Sequence, residues 1–138
     1  MEQVLRPLPE IDAASRPFWE AAREHRFVLP RCRRCGHRWF PPYARCTRCL
    51  SPDREFVAAS GRGRIWGVIE MSRPYIPAFA ERLPYNVVLV ELEEGPKMFS
   101  NVVGAPFERI LVDAPVEVMF EDIDGQVTLP KFRLAERP

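Results

Sequence analysis

Cys32, Cys35, Cys46 and Cys49 are the only cysteines of this 138-residue chain, and they stand in two identically spaced pairs, C-x2-C-x10-C-x2-C. That spacing belongs to a four-thiolate metal site: each C-x-x-C turn brings two sulfurs to one side of an ion, and the second turn closes the tetrahedron. Gly36 follows the first pair, where the backbone must fold back tightly. Zinc in a structural role is the expectation. A rubredoxin-type iron site has the same ligand set, and a pair of disulfides is the remaining alternative. Disulfides need an oxidising compartment, and the start Met1-Glu2-Gln3-Val4-Leu5-Arg6-Pro7 has neither the basic stretch nor the apolar run of a secretory leader. A cytoplasmic protein is the reading that follows.

Other catalytic chemistry is not spelled out. The two histidines, His25 and His37, lie in no recognisable nucleophile–base setting, and G-x-S-x-G does not occur. His37 is two residues from Cys35, but four thiolates complete the coordination, so a surface role is expected. Gly61-Arg62-Gly63-Arg64-Ile65-Trp66-Gly67 has its third glycine one residue too late for a dinucleotide loop and reads instead as a bent strand. Asp124-Gly125 is a hairpin tip. A closed metal site offers no open position for activating water. The chain is expected not to be an enzyme on its own.

A net charge of +1 excludes general electrostatic attraction to nucleic acid, and no apolar run approaches a membrane span. Charge is nonetheless concentrated: Arg31, Arg33, Arg34, Arg38, Arg45, Arg48 and Arg54 face one acid, Asp53, in that stretch. Four thiolates on a divalent ion leave about −2, which arginines compensate. An anion-binding ribbon is the competing interpretation.

These residues need elements to place them. Ser15 is a helix cap with Pro17 in the first turn, and the helix runs to about Glu24 with Phe18, Trp19, Ala22 and the Arg23 stem on one stripe. Phe27-Val28-Leu29 is a short strand. Trp39-Phe40-Pro41-Pro42-Tyr43 is stiff, non-helical and able to cover the metal. Residues 56–59 and 64–71 read as one bent strand with Gly61 and Gly63 at the curve. Strands then follow at 85–93, 97–103, 116–122 and 127–132, with a helical turn at 106–111. The fold expected is mainly β: an N-terminal arm and helix (1–30), a rubredoxin-like zinc ribbon (31–54) and a five-stranded OB-fold barrel (55–138).

Taken in order, these residues resemble the family called domain of unknown function 35. The resemblance rests on Pro17-Phe18-Trp19-Glu20, Cys32-x-x-Cys35-Gly36, Phe40-Pro41-Pro42, Cys46-x-x-Cys49 and Ser60-Gly61-Arg62-Gly63. It continues through Pro84-Tyr85, Val90-Glu91-Leu92, Pro115-Val116-Glu117-Val118 and Leu129-Pro130-Lys131-Phe132. It covers nearly the whole chain from about residue 12. The resemblance implies an accessory subunit of thiolase-superfamily enzymes: acetyl-CoA acetyltransferases, sterol-carrier-protein thiolases, acyltransferases or the aldolases of steroid side-chain degradation. Some members partner MaoC-type hydratases, and an acyl-CoA-binding role has been inferred for the OB-fold. His25 departs from the pattern where the family often has Gly, so a different helix end is expected.

Residue patterns support the same direction. Val88, Val90 and Leu92 occupy one face of the clearest strand and Tyr85, Val87 and Leu89 the other, so a barrel leaves one apolar face needing cover. The loop Arg73-Pro74-Tyr75-Ile76-Pro77-Ala78-Phe79-Ala80 is apolar and stiffened by two prolines. Phe18, Trp19, Arg73, Tyr75, Phe79 and Arg82 are the candidate contacts with a partner or an acyl-CoA. Arg62 and Arg64 are weaker candidates for CoA phosphates. The reading is a hetero-oligomeric, zinc-binding subunit in acyl-CoA, lipid or steroid metabolism, without nucleic-acid or membrane partners. The alternative is a nucleic-acid-binding zinc-ribbon and OB-fold protein, disfavoured because Glu91, Glu93 and Glu94 sit on the central hairpin. An electron-carrying iron form is the third.

Overall fold

The computed structural model describes residues 9–72, 84–125 and 127–135. Helix α1 spans Arg16–Arg23. Ser15 stands at its N-cap as expected, but its side chain makes no bond to the helix. Ser15 N–H donates to Asp12 Oδ1 at 2.8 Å while Asp12 N–H donates to Ser15 Oγ at 3.2 Å, a reciprocal box one turn before the assigned helix. Phe18, Ala21 and Ala22 form the buried stripe, and Arg23 is exposed. Ala21 thus takes the place expected of the Arg23 stem.

The helix ends in a Schellman motif despite its histidine. Arg26 N–H reaches Ala21 C=O and His25 N–H reaches Ala22 C=O, with His25 left-handed at φ 57. The expected departure at this end does not occur, because the His25 side chain is held from outside. Its ring stacks on Phe120 at 5.2 Å, and Nε2 meets Asp122 Oδ1 at 2.9 Å. Asp122 also accepts the buried Thr128 hydroxyl. One side chain therefore ties the helix to a hairpin nearly a hundred residues away.

Strands β1 (Val28–Cys32) and β2 (Arg54–Ala58) pair antiparallel in their own two-stranded sheet. Residues 56–59 and 64–71 are therefore not one bent strand. Beyond Gly61, which has φ 75, the chain enters a second sheet. This sheet contains β3 (Arg62–Met71), β4 (Tyr85–Leu92), β5 (Lys97–Ser100), β6 (Pro115–Asp122) and β7 (Thr128–Leu134) in the order β5-β4-β3-β6-β7. A short 3₁₀ turn at Phe107–Arg109 carries the chain across to β6. The bulge lies between Ile65 and Gly67, downstream of the two glycines expected to mark it. Gly63 serves close approach instead: a β-carbon there would lie 2.5 Å from the Glu91 carbonyl oxygen.

The sheet curls into a half-barrel. Its outer strands form no ladder but meet through a parallel bridge, Val102 to Phe132, with Phe132 N–H donating to Asn101 C=O at 3.0 Å and the Ser100 hydroxyl to Pro130 C=O at 3.1 Å. Inside lie Ile65, Val88, Val90, Leu92, Met98, Val116 and Phe132, and the same core continues through Phe18, Phe27 and Leu29. Helix, β1 and half-barrel thus share one apolar interior. Phe18 is 1% exposed and packs edge-on against Trp19, Phe27 and Phe40.

Candidate metal centre and exposed sheet face

Strand β1 delivers Cys32 as its last residue, and the chain turns at once. Gly36 N–H returns to Cys32 C=O at 2.9 Å, and Cys35 N–H points at Cys32 Sγ at 3.4 Å. The second knuckle repeats the pattern. Leu50 N–H returns to Cys46 C=O at 3.0 Å, while Cys49 N–H and Arg48 N–H approach Cys46 Sγ at 3.4 and 3.3 Å. Both turns require a left-handed residue after the second cysteine; it is Gly36 in one and Leu50 in the other.

The four Sγ atoms lie within 4.8 Å of one another. Cys32 and Cys49 are 3.5 Å apart, Cys35 and Cys46 3.6 Å. A tetrahedron with metal–sulfur bonds of about 2.3 Å has edges of about 3.8 Å, so the donor set fits one ion. Ionisation agrees. Burial opposes it at Cys46, but the N–H groups of Cys49 and Arg48 bring that thiol down to about 6. At Cys35 the His37 backbone favours the thiolate, yet burial and the other three sulfurs push it up to about 11. Four thiolates side by side need a cation between them.

Trp39 covers the inner side of this centre, while Cys35 stays exposed. The tryptophan is buried with Cys32 and Cys46, and its Nε1–H donates to Tyr43 C=O at 3.1 Å. Phe40 leaves the metal and packs on the main core, and Tyr43 is exposed. His37 is no ligand: its Nε2 lies 2.9 Å from Thr47 Oγ1, and its ring stacks on Trp39.

The seven arginines divide. Arg31 and Arg33 pair with Glu55, and Arg33 also with Asp53. Arg54 clamps the carbonyls of Ala14, Pro42 and Tyr43 and lies over the Phe56 ring, joining the helix start to the ribbon. Arg34, Arg38, Arg45 and Arg48 have no carboxylate partner among the described residues.

The half-barrel presents an apolar outer face. Ile69 pairs with Val87, Gly67 with Leu89, and Leu89 with Phe99, so these residues share one side of the sheet. Phe99 is 73% exposed, Ile69 56% and Trp66 55%, with Lys97 over the Trp66 ring. Tyr85, Val87 and Leu89 beside them are half-buried. A cavity of about 470 Å³ opens at the end of this face, lined by Tyr85, Val87, Phe99, Val102 and Lys131 among others.

Of the expected partner contacts, Phe18 is a correction, because it is enclosed in the chain's own core. Trp19 is half-buried at the edge of that core. Arg73, Tyr75, Phe79 and Arg82 lie outside the described residues. Arg62 and Arg64 are engaged with Glu93 and Glu91 on the surface. Trp66 and Ile69 are surface groups that the sequence reading passes over, whereas Phe99 beside Lys97 on the central hairpin is legible. The signal was available in the alternation of Lys97-Met98-Phe99-Ser100, where Met98 is inside and Phe99 outside.

Among the described residues no helix is long and apolar enough to cross a membrane. Residues 19–55 match the family described as ChsH2, rubredoxin-like zinc ribbon domain, and residues 56–121 match ChsH2, C-terminal OB-fold domain. A protein of Thermomonospora curvata named probable enoyl-CoA hydratase alpha subunit is 38% identical over 96% of this chain and 41% of its own length. Benzoylsuccinyl-CoA thiolase subunit BbsA of Thauera aromatica is 30% identical over 55% of this chain and 51% of its own length. The chain thus spans about half or less of these two relatives. A solved structure described as Ltp2-ChsH2(DUF35) aldolase matches with a TM-score of 0.82 and 36% identity, covering 92% of this chain and 98% of that one. The chain belongs to the ChsH2-type DUF35 family, in which a rubredoxin-like zinc ribbon precedes an OB-fold domain.

Proposed function

We propose that this chain is a non-catalytic accessory subunit that docks onto a thiolase-superfamily enzyme acting on acyl-CoA substrates. The observation that carries the reading is the outer sheet face. Trp66, Ile69 and Phe99 stand exposed beside half-buried Val87 and Leu89, an apolar surface of the kind that another protein covers. The relatives named above are subunits of hydratase, thiolase and aldolase assemblies, which supports a catalytic companion. The cavity beside this face is lined by Tyr85, Val87, Phe99 and Val102 together with Lys131 and Glu121, a mostly apolar recess that suits an acyl chain.

In this reading Cys32, Cys35, Cys46 and Cys49 hold Zn²⁺, which ties the two knuckles of the ribbon (31–54) together beside the OB domain (55–138) and takes no part in turnover. The ion supplies cross-linking only. What the protein's own residues do is position surfaces: Trp39 packs over the buried Cys32 and Cys46, and Arg54 fixes the helix on the ribbon.

Co-expression with a thiolase homologue from the same genome, followed by size-exclusion chromatography, tests the proposal. A single stable complex is expected. Separate elution of two folded proteins at micromolar concentration overturns it. Trp66 and Phe99 near Lys97 also resemble a stacking platform for bases, so a single-stranded oligonucleotide serves as the counter-probe. The carboxylates of Glu91 and Glu93 beside that face oppose phosphate, and no binding at physiological salt is expected.

A further inference from the structure

Three residues other than glycine adopt left-handed backbone among the described residues: His25 at φ 57, Leu50 at φ 66 and Asp113 at φ 72. An L side chain is strained there, and the strain persists only where something holds it. His25 is held by Phe120 and Asp122. Asp113 is a residue type that tolerates this conformation, and its N–H bonds Ile65 C=O at 2.7 Å. Leu50 has no such explanation. Its two bonds, N–H to Cys46 C=O and C=O from Arg45 Nη1, are made by the backbone and need no side chain. The matching position of the other knuckle is Gly36. The leucine side chain is 67% exposed.

A strained position thus carries a large apolar group that the fold does not use. The surroundings define what it would meet. The Arg45 guanidinium sits against the Leu50 carbonyl, and Arg48 lies in the same knuckle. With Arg34 and Arg38 they make four arginines without a carboxylate partner among the described residues, more than a charge of about −2 on a four-thiolate ion neutralises. We propose that Leu50 is a docking anchor that enters an apolar pocket of the catalytic subunit, a pocket rimmed by carboxylates that face Arg45 and Arg48. This deepens the accessory-subunit reading and rests on it. Buried apolar anchors within a charged rim dominate the affinity of many interfaces, and the rim charges govern the association rate.

The test uses the metal-loaded full chain and the thiolase homologue with which it co-elutes. Leu50→Gly is expected to melt no lower than the wild type, because the turn loses its strain, while affinity for the catalytic subunit falls by about tenfold or more. Leu50→Asn, which tolerates the same backbone without the apolar group, is expected to lose affinity alike. Arg45→Gln is expected to slow association and flatten its salt dependence. If both Leu50 variants bind as tightly as the wild type, the anchor is wrong while the accessory reading stands. If Leu50→Gly melts several degrees lower, the side chain serves the fold and the proposal fails without any partner being involved. A wild-type chain that does not associate overturns the underlying reading.

Discussion

In the half-barrel, Ile65, Val88, Val90, Leu92, Met98, Val116 and Phe132 are sealed from water, contributed by strands throughout the second half of the chain. In the ribbon the separate buried cluster is Cys32, Trp39 and Cys46, with Cys49 packed against it. The sheet is thus held by many small apolar contributions, whereas the ribbon depends on a few bonds through one centre. A segment with so small an apolar core does not offset its own conformational entropy, and metal coordination makes up the difference. The difference teaches that the two regions should fail separately, although α1 and β1 share the core of the sheet.

Metal removal is the sharpest way to break that comparison. Structural zinc supplies on the order of 10–16 kcal/mol of apparent binding free energy. Chelation, or Cys46→Ser, is expected to abolish the near-ultraviolet signal of Trp39 and amide protection over the knuckles, while β3 to β7 stay protected in hydrogen exchange. Uniform loss of protection would show one cooperative unit. The reverse perturbation is Ile65→Ala at the centre of the sheet, expected to cost about 2–5 kcal/mol in chemical denaturation. Metal affinity measured by competition with a chromophoric chelator should stay unchanged. A parallel loss of affinity would mean that the ribbon borrows its stability from the sheet.

Smaller effects separate the left-handed turns. Leu50→Gly is expected to stabilise the ribbon by up to about 1 kcal/mol, since it relieves strain and forfeits no packing. His25→Gly should gain less or lose, because the ring contacts to Phe120 and Asp122 disappear with it. Equal shifts in melting temperature for the two would contradict the claim that only His25 is held by its side chain.

The smallest effect is titration of Asp122, whose carboxyl is held below its usual 3.8 by the Thr128 hydroxyl and the His25 ring. A depressed carboxylate contributes stability above its unfolded value, and that contribution is lost as pH falls through the folded value. Wild type and Asp122→Asn should therefore differ near neutrality and converge below about pH 4. A difference that persists into stronger acid would assign the effect to packing.

The metal centre was fully legible as a ligand set, because a C-x-x-C turn is a local device whose geometry depends on four consecutive residues. The strand pattern was legible for a related reason: alternation along 85–92 reports which residues can face one interior. The helix cap was legible as a position but not as a bond: Ser15 stands at the N-cap, and the path of the arm into α1 turns its hydroxyl back to Asp12. The join between ribbon and sheet was misread because Phe56 and Ile65 carry the same strand propensity; pairing partners, not propensity, send them to different sheets.

Residue types alone determined that four sulfurs would gather within reach of a single point and that strands with two apolar faces would follow. Tertiary structure decided where each apolar group went: Phe18 inward to the core, Trp66 and Phe99 outward to solvent, Leu50 onto a strained ribbon tip. Coordination spacing and side-chain alternation are written within a few neighbouring residues. Burial is set by the pairing of segments far apart in the chain, and composition does not encode which of two apolar faces those segments enclose.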